Sequence, residues 1–342
     1  MYNEGKIPEN FKMIETIESH TAGEPLRVIV NGLPYIEGKT ILEKRQFVKD
    51  NLDHFRKGLM LEPRGHPDMY GAIITEPTTP DGDLGVLFTH NQGYSTMCGH
   101  GIIALTKVVL DTEILKKGGK RPEINYDTPA GRVKATALIE NGKVKEVSFR
   151  NVPSFVYKKN LCVDTSEFGS INFDIAFGGA FYAYIDVDQI SLKIDKKNHN
   201  GFVMAGKKIK QKIIKEFDIN HPFEDDLGFL YGTIFVGPPS DKSNHSRNVC
   251  VFADGEVDRS PTGTGVSGRA AIHYFNGEID KNEPITIESI LGTTFDVEVV
   301  RTTIYGGYEA VIPKVTGKAY CTGKSKFCFD PEDPLKYGFM LR

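Results

Sequence analysis

Residues 96–110, TMCGHGIIALTKVVL, and residues 261–275, PTGTGVSGRAAIHYF, repeat one design. Each runs a glycine-spaced turn into a largely apolar stretch. The first turn is Cys98-Gly99-His100-Gly101 and the second is Thr262-Gly263-Thr264-Gly265. Apolar residues on nearly every side predict two central, buried helices, starting near Gly101 and Gly265. Downstream, Gly131 follows Cys98 by 33 residues and Gly292 follows Thr262 by 30, each entering a strand pattern. A repeat on this scale sets the architecture before any motif does. It predicts a diverged duplication: two α+β halves, each a layer of strands around one buried helix. The divide falls near 151–159, giving a first half over 1–155 with Cys98 and a second over 156–342 with Thr262. The C-terminal segment is left free to return to the first half.

The rest of the chain is mostly strand. Short runs such as 27–30, 71–74, 145–149, 181–185, 248–252, 285–288, 294–301 and 309–312 are rich in β-branched and aromatic residues, and turn residues bound many of them. Two further helices are expected. One spans 41–56 with Thr40 as its cap. The other spans 202–217, with a lysine-rich side read as a solvated face.

Composition narrows the function. At 342 residues, 39% hydrophobic and 25% charged, the chain has enough apolar mass for a large core without disulfides. A net charge of −3 supplies no basic field for nucleic acid. No apolar run approaches the roughly 18 residues of a membrane helix, and the charged N-terminus is no secretory signal. The five cysteines form no CxxC pair, which points to a reducing, cytoplasmic setting. Cys250 and Cys328 read as core residues.

The chemistry is expected at the two turns. A helix start presents free N–H groups and the positive end of the helix dipole, and glycine lets an anion approach the backbone. Two such turns facing one cleft would clasp a small carboxylate. Cys98 stands directly before the first helix, where the dipole can lower a thiol from about 8.5 to roughly 3.5–7.5. A thiolate there is a candidate nucleophile or general base. His90, Cys98 and His100 lack a further ligand at a metal-site spacing, so no metal is expected. Residues 263–268 match GxGxxG with Glu288 following. However, residues 254–261 separate that run from the preceding strand, which is wrong for a dinucleotide site.

Five ordered stretches resemble the proline racemase family: SHTAGEPLRV from Ser19, EPRGHPDMYG from Glu62, MCGHG from Met97, GGAFYA from Gly178 and DRSPTGTG from Asp258. The family includes 4-hydroxyproline epimerases and trans-3-hydroxy-L-proline dehydratases. The resemblance implies a diaminopimelate-epimerase-like fold of two pseudo-symmetric halves. Each half is a curled, mostly antiparallel sheet around a central helix, with the active site in the cleft between them. It implies a cyclic imino acid substrate, no pyridoxal phosphate or metal, and a homodimer. It places Gly99 and His100 beside the substrate, Asp258 at the ring nitrogen, and Gly263 and Thr264 at the carboxylate. It is also what draws notice to His20, His66 and His100.

Members that invert the α-carbon resemble one another in carrying two cysteines, one on each face of the ring. The first matches Cys98; the second would fall at Thr262, where this sequence departs. A threonine hydroxyl is far too weak an acid to exchange protons as a thiol does. Members with threonine there resemble trans-3-hydroxy-L-proline dehydratases, which makes Cys98 and Thr262 the expected catalytic pair. A proline racemase or 4-hydroxyproline epimerase stands as the alternative reading, and a non-catalytic binder of cyclic amino acids as the distant one.

Overall fold

A computed structural model describes residues 5–341. The chain begins with β1 (Lys12–Thr21) and β2 (Glu24–Asn31), then α1 (Ile41–Phe47) and α2 (Asp53–Met60). Next come β3 (Tyr70–Thr75), β4 (Leu84–His90), β5 (Tyr94–Ser95), α3 (Gly99–Asp111), β6 (Glu123–Thr128), β7 (Gly131–Glu140) and β8 (Lys143–Arg150). The second series is β9 (Ser154–Thr165), β10 (Gly169–Phe177), β11 (Phe181–Asp186), α4 (His199–Glu216), β12 (Leu230–Gly237) and β13 (Ser246–Phe252). It continues with β14 (Glu256–Val257), α5 (Gly263–Phe275), β15 (Ile285–Glu288), β16 (Thr294–Tyr305) and β17 (Tyr308–Gly317), and the chain closes on β18 (Ala319–Phe329).

The pairings repeat. From β1 to β8 consecutive partners are antiparallel, except that β2–β3 and β4–β6 are parallel. The series from β10 to β17 follows the same order, with β11–β12 and β13–β15 parallel. Each parallel join needs a crossover, and helices supply it: α1 and α2 span the first in one half, α4 the first in the other, α3 and α5 the second. On the outer edge β18 lies antiparallel to β1, as β9 does to β10. The last strand thus does for the first half what β9 does for the second. Strand β17 joins the halves by pairing with both β8 and β9.

Local chemistry accounts for the helices. Thr40 Oγ1 accepts the Glu43 N–H at 3.1 Å, and the Glu43 carboxylate accepts the Thr40 N–H at 3.3 Å, a capping box. The helix foreseen over 41–56 is α1 and α2 joined by a π-helical stretch, Val48–Leu52. In α3, Ile102, Ile103, Leu105, Val108 and Val109 are fully buried against β1, β2, β7, β8 and β18. Helix α5 packs on β9, β10, β16 and β17. Its core is not purely apolar: Arg269 is buried, donates to Ser246 Oγ and Asn248 Oδ1, and is pushed down to about 10 by burial.

Two expectations need correction. The lysine face of α4 is not wholly solvated, because Lys210 turns inward to the carbonyls of Tyr231 and Ala253, both at 2.9 Å. Cys250 is core, but Cys328 is only half-buried. Strand alternation gives the inward position on β18 to Phe329. No helix among the described residues is long and apolar enough to cross a membrane.

Candidate active site

The two glycine turns meet. Cys98 caps α3 with extended backbone, φ −143° and ψ 112°, and its Sγ accepts the Gly101 N–H at 3.2 Å. Thr262 occupies the matching place before α5 but is built differently. Its φ is +68° and ψ 96°, and its side chain makes no cap hydrogen bond. Positive φ is an outlier for a β-branched residue and stores about 1–3 kcal/mol of strain. The strain is held by a short relay of turns: the Thr262 N–H donates to Ser260 Oγ at 3.1 Å, and the Ser260 N–H donates to Asp258 Oδ1 at 2.7 Å. Thr262 Oγ1 is buried and makes no hydrogen bond of normal geometry, although it lies near enough to Asp258 and Cys250 to favour their charged forms. A buried hydroxyl so poorly satisfied is costly unless a ligand completes it.

The helix starts touch through their backbones. A Cβ on Gly99 would lie 2.5 Å from Gly263 Cα, and a Cβ on Gly263 would lie 2.5 Å from Gly99 Cα. Only glycine allows this approach. We expect Gly99→Ala to force the two turns apart while leaving each half folded. Misplacing reacting groups by about 1 Å costs roughly 10²-fold. Steady-state kcat/KM, read beside a thermal melt, checks this; unchanged activity would mean that the close approach is dispensable.

Cys98, Gly99, His100, Asp258, Thr262, Gly263 and Thr264 all line one cavity between the turns, together with Met97, Tyr70, Tyr182, Tyr231 and Phe252. The centre of a water molecule has only about 20 Å³ to occupy there. That is room for about one water, so anything larger enters only when the lining parts. The remaining sequence candidates lie elsewhere. His20 stacks on Tyr320, and His66 bonds the Pro67 carbonyl. His90 pairs with the buried Glu256 at 3.2 Å. No group of metal-binding side chains occurs among the described residues. Glu288 is taken by the 240–244 loop, accepting from Ser240, Asp241 and Asn244, and so is not placed to hold a ribose.

The electrostatics overturn one expectation. The Cys98 thiol is not held low by the helix end. Burial pushes it well above its ordinary value, the Gly101 N–H opposes this, and the nearby charges of Asp258 and Glu24 push it further up. His100 lies against the sulfur, with Nδ1 at 3.1 Å and Nε2 at 3.6 Å. Burial pushes His100 down to about 3, so its ring is neutral. Asp258 is raised to about 6 by burial, against the hydrogen bonds from Ser260.

Glu24 was not among the residues singled out from the sequence. It is wholly buried; burial and then the Asp258 charge raise it well above the usual carboxylate range. One oxygen accepts the Arg259 N–H at 2.6 Å and the other has no partner. Tyr70, Tyr182 and Phe252 also escaped sequence reading. Glu24, Tyr70 and Tyr182 lie inside the quoted stretches from Ser19, Glu62 and Gly178, which was the only signal available.

Comparison with known proteins agrees with this architecture. The proline racemase family's sequence profile matches residues 16–340, and the chain belongs to that family. A trans-3-hydroxy-L-proline dehydratase of Colwellia psychrerythraea is 49% identical over 334 residues, covering 98% of this chain and 94% of that protein. A proline racemase of Clostridioides difficile is 40% identical over 331 residues, covering 97% of this chain and 99% of that one. A hydroxyproline epimerase from Agrobacterium vitis, solved with bound trans-4-hydroxy-L-proline, superposes with a TM-score of 0.93 at 29% identity, covering 98% of this chain and 96% of that one.

Proposed function

We propose that this chain removes water from trans-3-hydroxy-L-proline to give Δ1-pyrroline-2-carboxylate, with Cys98 as the single general base. The observation that carries this reading is Thr262: the second turn offers a hydroxyl without a normal hydrogen bond where a two-base racemase needs a second thiol. The stereochemistry agrees. With the 3-hydroxyl trans to the carboxylate, it shares a ring face with the α-hydrogen. One base on that face suffices, and the opposite face needs no acid. In this reading Gly263 and Thr264 hold the carboxylate at the start of α5, Gly99 and His100 flank the ring, and Asp258 takes the ring nitrogen. The substrate's ammonium then offsets the acidic charges that push the Cys98 thiol up, so binding helps to ionise the base. The thiolate takes the α-proton, the C–H electrons form the ring double bond, and the C3–O bond breaks. The enamine tautomerises to the imine. The same reading includes no metal or pyridoxal group, a cytoplasmic setting for the five free cysteines, and a homodimer.

The 40% identity to a racemase keeps inversion as the second reading. NMR in D2O with trans-3-hydroxy-L-proline, L-proline and trans-4-hydroxy-L-proline separates the two. Loss of the first substrate without inversion of the others is expected. Inversion with α-deuteration and no dehydration would overturn the dehydratase assignment. No turnover of any of the three would leave a binder. We expect Thr262→Cys to add a second proton-exchanging group, seen as inversion of L-proline that the parent lacks.

A further inference from the structure

We propose that Tyr70 is a catalytic residue, the acid that protonates the departing hydroxyl and is then reprotonated by Cys98. This rests on the dehydratase reading and supplies what that reading lacks, a donor for the leaving oxygen. Tyr70 sits on β3, 3% exposed, and lines the cavity beside Cys98. Its ring stands edge-on to His100 with centroids 4.7 Å apart. Its hydroxyl bonds Ser95 Oγ, which in turn lies 2.5 Å from the Tyr231 hydroxyl. The phenol lies near enough to the Cys98 sulfur to favour its thiolate form. Tyr70 therefore belongs to the sulfur's side of the ring, the face that bears the 3-hydroxyl.

The competing donor, His100, is engaged with the sulfur through its ring, with Nδ1 at 3.1 Å. Burial keeps the Tyr70 phenol protonated, so it arrives as a donor. The step balances without a co-reactant. Cys98 takes the α-proton and forms S–H, while the C–H pair becomes the C2–C3 double bond. The C3–O bond breaks, and its oxygen takes the Tyr70 proton to form water. The phenolate, held by Ser95, then takes the proton from Cys98. Thiolate and phenol are restored, and the α-hydrogen comes to rest on Tyr70.

The test compares two leaving groups. Fluoride departs without a proton, whereas hydroxide needs one. Tyr70→Phe keeps the ring and removes only the donor. It is expected to slow water loss from trans-3-hydroxy-L-proline by about 10²–10³-fold, within the usual range for general-acid catalysis, while slowing fluoride loss from trans-3-fluoro-L-proline less than about tenfold. Equal losses on both substrates, or none on the hydroxy substrate, would overturn the role of Tyr70. Tyr231→Phe provides a second reading that leaves the Tyr70 hydroxyl in place. A loss of about three- to tenfold confined to the hydroxy substrate is expected, and an equal effect on both would count against the relay. Failure of the functional reading looks different: the unaltered protein would then eliminate neither water from the hydroxy substrate nor fluoride from the fluoro one, while still inverting proline.

Discussion

Replacing Cys98 by serine should lower the rate of Δ1-pyrroline-2-carboxylate formation by about 10³–10⁴-fold, the scale of a lost general base. A serine hydroxyl does not ionise near neutral pH, and no neighbour compensates. His100 is pushed down to about 3 and holds no proton-accepting reserve comparable to a thiolate. The substitution is chosen because it separates chemistry from architecture. Cys98 caps α3 through Sγ and the Gly101 N–H, and serine is among the better caps. Melting temperature is therefore expected to stay within a few degrees of the parent. Cys98→Ala removes both roles and should lose about 0.5–2 kcal/mol of stability besides the activity. Initial rates and α-deuterium exchange, measured on the same preparations, check the assignment. Near-parental exchange in the serine variant would move the base elsewhere.

The sequence carried the frame of this site further than its working state. Cys98-Gly99-His100-Gly101 and Thr262-Gly263-Thr264-Gly265 are contiguous, so their helix starts and glycines could be read directly, and they meet in the folded chain. Glu24 and Tyr70 could not be read the same way. Each is a single residue on a strand, and its place at or beside the cavity comes from long-range contacts, such as Tyr70 opposite His90 on β4 and Glu24 against the Arg259 N–H. Periodicity reports that a strand exists and not which strand lies beside it. The return of the C-terminal segment is allowed by the sequence, but its pairing of β18 with β1 is not readable, for the same reason. The positive φ of Thr262 runs against the preference of its own side chain, so local propensity points the wrong way. The thiol's expected acidity failed on a different count. The dipole of α3 is visible in sequence, but the burial and the two acidic neighbours that outweigh it are properties of the assembled cavity.

Asp258→Asn should make the protein both less active and more stable. Asp258 is 5% exposed and raised to about 6, mainly by burial. An unfolded aspartate titrates near 3.9. Between those values the folded state binds a proton that the unfolded state has released, so stability falls as pH rises from about 4 to about 6. Above that window the deficit is constant, on the order of 2–3 kcal/mol. Asparagine abolishes it, and its amide oxygen can still accept the Ser260 N–H. The variant should therefore melt several degrees higher at pH 8 and nearly level with the parent at pH 4. A difference that widened toward acid would reverse the sign and sink the argument. Catalysis should move the other way. Leaving the substrate's ammonium without its carboxylate costs about 3–5 kcal/mol, or roughly 10²–10⁴-fold in kcat/KM. In the parent, kcat/KM should fall more steeply below about 6, by a further tenfold or so per pH unit beyond the limb of the Cys98 thiol, as Asp258 takes up its proton, and the variant should lack that added slope. One further readout isolates the electrostatics. Asp258 is among the charges that raise the Cys98 thiol, so its neutralisation should speed alkylation of Cys98 by iodoacetamide at pH 8 even as turnover collapses.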